Sequence, residues 1–245
     1  MRLAGRSALV TGASSGIGAA TADALAAAGV KLVLLGRHAG RLDEVAGRTG
    51  GTALVADLAT ERGLAAGCAA AADVDLVVAS AGRGHAGEFT RMPAERIAEL
   101  ATLNLVAPLR LAHAALPAML DRGAGHLVFL ASIATVGVRD EAVYAATKAG
   151  LRAFAASLRY EIGARPVGVT TVFPGAVHTP FFDGRGRAYD RRFPRQLDPS
   201  AVAQALLAAV QRGAPEVFVP RWLTIAARVN GALPEVFHRM AGRFG

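Results

Sequence analysis

The chain is expected to fold as one α/β domain, a doubly wound parallel sheet, and three observations carry that expectation. Short Val- and Leu-rich runs alternate with alanine-rich helical patterns along nearly all of its 245 residues. A glycine-rich turn joins the first apolar run to the first helical one. Small or chemically active residues then recur where the apolar runs end, and open α/β sheets bind ligands at the C-terminal ends of their strands. No linker, internal repeat or low-complexity segment divides the sequence.

Residues 7–11 form the first strand and lead into Thr11-Gly-Ala-Ser-Ser-Gly-Ile-Gly18, then an alanine-rich helix to about Ala28, closed by Gly29. Gly12 permits the tight turn, Gly16 the close approach of a ligand to the backbone, and Gly18 close helix packing. With Ser14, Ser15 and Ile17 between them, they aim free N–H groups at a phosphate. The spacing Gly-x3-Gly-x-Gly differs from Gly-x-Gly-x-x-Gly and lacks the Gly-Lys-Ser/Thr of a P-loop. A structural turn uses the same residues, but the position between first strand and first helix favours a dinucleotide.

The second strand, 31–35, ends at Gly36-Arg37. An acid here takes the ribose 2′-hydroxyl of NAD, whereas an arginine accommodates the 2′-phosphate of NADP. The acid is missing and Arg37 is present, which favours NADP(H) over NAD(H); chance placement among 25 arginines is the alternative. The third strand, 52–56, precedes Asp57 and Leu58. Cys68, alone in an alanine-rich helix, is expected to be buried filler. The fourth strand, 74–79, precedes Ser80, Ala81 and Gly82, small enough for a nucleotide to reach the backbone. A long helix over 94–120 carries Asn104 and Pro108; an asparagine in an apolar helix either satisfies a kinked backbone or holds a water near a site. The fifth strand, 126–130, delivers Ser132, and a helix over 142–163 carries Tyr144 and Lys148. The sixth, 167–173, ends at Pro174-Gly175 with Val177 and Thr179 just beyond. A helix over 199–211 and a strand over 217–219 complete the pattern.

Tyr144 and Lys148 stand four apart and share a helix face. A phenol of pKa about 10 is a poor acid or base at neutral pH. An ammonium about 4 Å away favours the phenolate by roughly 4 kcal/mol at an effective dielectric of about 20. Such a phenol trades protons with a substrate oxygen near neutral pH, and a serine hydroxyl could hold that oxygen. Tyr–Lys pairs also arise by chance, but only Lys31 and Lys148 are lysines among 27 basic residues, so lysine is placed sparingly here.

With the glycine turn, Asn104, Ser132 and Tyr144-x3-Lys148 in this order over about residues 5–220, the chain resembles the short-chain dehydrogenase/reductases. The resemblance implies a seven-stranded Rossmann fold and hydride transfer between a nicotinamide and a small-molecule carbonyl or alcohol. It makes Tyr144 the general acid in reduction, with Lys148 lowering its pKa and holding the nicotinamide ribose. Ser132 positions the substrate oxygen and Asn104 supports a relay water. Asp57 contacts adenine, and 174–179 line the nicotinamide. It also implies a homodimer or homotetramer built on the helices bearing Asn104 and Tyr144. Ser80-Ala81-Gly82 departs from the family's Asn-Ala-Gly, for which slightly looser central packing is expected.

The net charge of +8 invites nucleic acid, but the arginines are scattered and no nucleic-acid motif accompanies them, so an acidic or phosphorylated small molecule is preferred. No metal site is expected. The start of the chain enters a strand without a signal-type apolar segment, and no uncharged apolar run reaches 18 residues, which suggests a cytoplasmic protein. Between His178 and Asp198, Phe181, Phe182, Tyr189 and Phe193 with five arginines suit an apolar substrate with an anionic end; a solvated surface lid is the equal alternative. Residues 221–245 read as an amphipathic basic extension. It packs on the domain or a partner subunit, or touches an anionic membrane. Beside a reductase stand a dehydrogenase working toward oxidation, a non-catalytic nucleotide sensor or scaffold, and more distantly a methyltransferase, which needs no Tyr–Lys pair.

Overall fold

The computed structural model describes residues 1–190 and 194–241. One sheet of seven parallel strands runs in the order β3-β2-β1-β4-β5-β6-β7. Its strands are β1 (Ser7–Thr11), β2 (Lys31–Gly36), β3 (Thr52–Val55), β4 (Leu76–Ala79), β5 (Gly125–Leu130), β6 (Val167–Pro174) and β7 (Glu216–Val219). The helices are α1 (Gly16–Ala27), α2 (Ala39–Thr49), α3 (Glu61–Ala72), α4 (Ala94–Ala101), α5 (Ala107–Asp121), α6 (Ala142–Ile162), the single turn α7 (Phe181–Gly184), α8 (Pro199–Arg212), α9 (Leu223–Ala232) and α10 (Pro234–Ala241).

The strands carry apolar residues on both faces because helices cover both. Val10, Leu34, Val78 and Val128 face Leu25 of α1, Leu42 of α2 and Leu206 of α8. The alternate residues Leu9, Val77, Leu127 and Phe129 face Leu64 of α3, Leu111 and Met119 of α5, and Leu151 of α6. The two-residue period of a strand thus sorts one sequence into two cores. Strand order reverses between β1 and β4, which pair Leu9 with Val77, and a crevice opens there at the C-terminal edge.

Two expectations need correction. The helix over 94–120 is not one α-helix: Thr102–Val106 is a π turn between α4 and α5. Pro108 has no N–H, so the Asn104 carbonyl lacks a donor four residues on, and the helix widens where that partner is missing. The run Ala94–Asp121 is long and apolar enough to span a membrane, yet its Leu100, Leu111, Ala115 and Met119 are buried by the protein. Cys68 is half-buried at the edge of its core rather than inside it. In the C-terminal extension, Leu223 and Ala227 of α9 are buried against Ala131, Phe173 and Phe218, and Phe237 of α10 packs on the same cluster.

Candidate active site

A cleft of about 850 Å³ runs along the C-terminal edge of the sheet. Every residue assigned from the sequence to catalysis or cofactor binding lines it except Asn104. At one end is the β1–α1 turn. Gly12 has φ +67°, and a Cβ there would lie 2.9 Å from the Ala81 Cα; a Cβ on Gly18 would lie 2.3 Å from the Gly12 carbonyl oxygen. Side chains are therefore excluded where the backbone of the turn meets the loop after β4. Ser15 precedes α1 in extended conformation and makes no side-chain cap. The first N–H groups of α1 thus keep their donors for the cleft, the arrangement that binds a pyrophosphate.

Beyond this turn, no acid follows β2. Arg37, His38 and Arg41 line the wall there, and Arg37 Nε donates to His38 Nε2 at 3.3 Å. Slight burial, then Arg41 and Arg37, hold the His38 imidazole below its usual pKa. Asp57 Oδ1 accepts from the Ala59 N–H (2.9 Å), which fixes the loop after β3 beside Leu58. Thr11 Oγ1 accepts from the N–H groups of Ser80 (3.1 Å) and Ala81 (3.0 Å). The expected loosening around Ser80 is thus met by a hydroxyl from β1. This set of donors, cations and close backbone suits a dinucleotide phosphate.

At the other end, β5 delivers Ser132 and α6 delivers Tyr144 and Lys148, with 8%, 8% and 4% of their surfaces exposed. Ser132 Oγ accepts from the Ala134 N–H (3.1 Å) and lies close enough to the Tyr144 phenol to lower its pKa. Lys148 Nζ lies 5.7 Å from the centre of the Tyr144 ring and donates to the Leu130 carbonyl at 2.7 Å. This differs from the lysine–phenol contact expected from the helix spacing. Burial pushes the Tyr144 pKa well up; the Ser132 hydroxyl and Arg185 pull it down, Glu141 pushes it up, and burial prevails. Burial lowers Lys148 to about 8. At neutral pH the phenol is therefore protonated and the amine mostly charged.

Asn104 sits behind the wall, fully buried. Its Oδ1 accepts from the Arg83 N–H (2.9 Å), and its Nδ2 donates to the Arg83 carbonyl (2.8 Å) and Thr147 Oγ1 (3.4 Å). Its side chain thus holds the loop after Gly82 rather than reaching the cleft as a cofactor contact. On the last wall, Pro174 ends β6 and Gly175, Val177 and Thr179 follow it, and Thr179 Cγ2 is the atom a Cβ on Gly16 would meet at 2.9 Å. The wall after β6 therefore closes against the β1–α1 turn.

Phe181 packs on the Tyr144 ring with centroids 5.4 Å apart, while Phe193 lies outside the described residues. Sequence reasoning passed over Glu141 and Arg83. Glu141, three residues before Tyr144, pairs with Arg185 across the mouth of the cleft. The signal available was an acid at the start of the site helix opposite an arginine-rich segment.

A family model described as short chain dehydrogenase matches residues 6–190. An uncharacterized oxidoreductase of Myxococcus xanthus is 33% identical over 251 positions, covering 97% of this chain and 96% of that protein. A solved short-chain dehydrogenase from Sphingobium yanoikuyae in complex with NADPH is 30% identical with TM-score 0.83, over 94% of this chain and 96% of that one. A bulky-bulky ketone specific alcohol dehydrogenase from Comamonas testosteroni is 28% identical with TM-score 0.79, over 94% of each chain. The seven-stranded parallel sheet agrees with these likenesses. The chain belongs to the short-chain dehydrogenase/reductase family of oxidoreductases.

Proposed function

We propose that the protein is an NADP(H)-dependent carbonyl reductase for an apolar ketone or aldehyde. The observation that carries this reading is the buried cluster of Ser132, Tyr144 and Lys148, which lines one end of a cleft whose other end is a phosphate-type turn. When bound, the nicotinamide supplies the hydride to the carbonyl carbon. Ser132 Oγ donates to the carbonyl oxygen and fixes its position. Tyr144 Oη gives its proton to that oxygen, so the alcohol leaves and a phenolate remains until the site is reprotonated. At neutral pH burial holds the phenol protonated, the form that donates in the reductive direction. Lys148 keeps further donors beside the one engaged by Leu130, and its charge stabilises the phenolate as it forms. Asn104 holds the loop that the reacting end rests on.

Arg37, with Arg41 and His38 on the same wall and no acid after β2, supports NADP(H), and the complex of the Sphingobium relative with NADPH is consistent with it. The ketone specificity of the Comamonas relative and the four clustered rings of Tyr144, Phe181, Phe182 and Tyr189 support an apolar carbonyl substrate. Self-association through the helices bearing Asn104 and Tyr144 belongs to the same reading. The test is cofactor oxidation with a panel of aryl and alkyl ketones, comparing NADPH with NADH in wild type and Arg37→Ala. An exposed charge-assisted contact with a phosphate is worth about 1.5 kcal/mol, so the variant should weaken NADPH about tenfold and leave NADH alone. Equal use of both cofactors by the wild type, or an unmoved NADPH affinity, would remove Arg37 from the reading.

A further inference from the structure

The arginines beyond Pro180 read in the sequence as receptors for a substrate anion. In the structure two of them, Arg185 and Arg187, are already engaged. Arg185 Nη1 bonds Glu141 Oε1, and each of these side chains is only 10% exposed. Arg187 Nη1 reaches Asp140 Oδ2 at 2.8 Å. The third cation on this wall, Arg139, is exposed and shares the mouth with Asp190. Arg185 is held further by its Nε donating to the Arg187 carbonyl (2.9 Å) and by Phe182, whose ring centre is 4.6 Å from its Cζ. Its own carbonyl accepts from the Ala86 N–H at 2.8 Å. The pair therefore stands at a fixed point beside Tyr144.

Next to it the wall is aromatic. Ring centres step from Tyr144 to Phe181 (5.4 Å), Phe182 (5.6 Å) and Tyr189 (5.0 Å). A carboxylate entering here meets the negative charge of Glu141 and a cation that already has a partner. Binding Arg185 would require breaking a buried ion pair, which is strongly unfavourable. An uncharged aryl group meets no such barrier and gains the ring contacts. Resting on the carbonyl-reductase reading, we infer that Glu141 is a specificity-determining residue. By holding Arg185 it reserves the site for uncharged aryl carbonyl substrates and rejects those with a carboxylate beside the carbonyl. Glu141 is a positioning residue in this role, since it acts through Arg185.

The test compares acetophenone with phenylglyoxylate, the same aryl ketone with a carboxylate in place of the methyl group, at saturating NADPH. The wild type should prefer acetophenone at least tenfold in kcat/KM. Glu141→Gln should raise the phenylglyoxylate-to-acetophenone ratio at least tenfold, through KM rather than kcat. In the double variant Glu141→Gln/Arg185→Met the ratio should return close to the wild-type value. A purely structural role for Glu141 would lower both activities and leave the ratio alone. If the single variant does not fold, the wild type and the double variant decide, and a tenfold neutral preference in both is the supporting result. Equal acceptance of the two ketones by the wild type overturns the inference, as does a ratio unmoved in Glu141→Gln. A ratio raised as much without Arg185 as with it does the same.

Calorimetric titration of the NADP-loaded protein with benzoate and with benzamide reads the same discrimination without turnover. Benzamide should bind more tightly to the wild type, and benzoate should gain in Glu141→Gln. If this binding pattern holds while neither ketone is reduced, the specificity stands and the reductase reading fails. Turnover with an unmoved ratio is the converse.

Discussion

Burying a titratable side chain fixes which proton state it can hold, and Tyr144, Lys148 and His126 illustrate the rule differently. Tyr144 is held as a neutral acid and Lys148 is lowered to about 8, both through desolvation of their charged forms. His126 lies in β5, far from the chemistry, and is 2% exposed. Thr170 Oγ1 donates to the Ala214 carbonyl (2.7 Å), so the His126 ring donates from Nε2 to Thr170 Oγ1 at 2.8 Å. Burial lowers its pKa from 6.5 to about 4. The unfolded chain therefore binds the extra proton first, and stability present above about pH 6.5 is lost as pH falls toward 4. The loss amounts to about 3 kcal/mol. Denaturant midpoints measured across that range should fall in the wild type and fall less steeply in His126→Gln, which keeps a donor without titrating. Parallel slopes would mean that other groups carry the acid sensitivity. Nothing in the sequence marked His126, because an imidazole in an apolar run does not reveal whether its neighbours will meet its polar atoms.

Among the elements, the β1–α1 turn is the one most fully legible in the sequence. Three glycines between a strand and a helix leave few structures open, and Gly12 and Gly18 take the turn and packing roles their spacing implied. A Cβ on Gly18 would lie 2.3 Å from the Gly12 carbonyl oxygen, backbone that cannot yield without opening the turn. Gly18→Ala is expected to destabilise the protein by about 2 kcal/mol and to lose NADPH binding, measured by thermal melts and nucleotide fluorescence. An unaltered melting temperature would show that the turn has slack. The π turn at Thr102–Val106 was harder to foresee. Pro108 signalled a missing hydrogen bond, but whether a helix kinks or widens there depends on what it packs against. Here the Asn104 side chain is anchored to the Arg83 backbone, a contact 21 residues apart in sequence.

For the molecule as a whole, alternation of strand and helix was enough to expect the doubly wound sheet and the location of the cleft. Charge was less legible. Five arginines near the substrate segment suited an apolar substrate with an anionic end or a solvated lid equally, and the structure pairs two of them, Arg185 with Glu141 and Arg187 with Asp140. Those partners sit more than 40 residues apart, so composition could count the cations but not show which were engaged. The C-terminal extension behaves similarly: its pattern was amphipathic, and only the fold shows Leu223 and Ala227 against Phe173 and Phe218.

The most direct measurement is steady-state NADPH oxidation with a reducible aryl ketone, by the wild type and by Tyr144→Phe. The variant removes one hydroxyl from a buried ring and should leave the fold and NADPH binding intact, as followed by circular dichroism and calorimetry. Losing the proton donor should lower kcat by about 10²- to 10⁴-fold. Near-normal turnover by a folded Tyr144→Phe protein would contradict the assignment of the phenol as the acid.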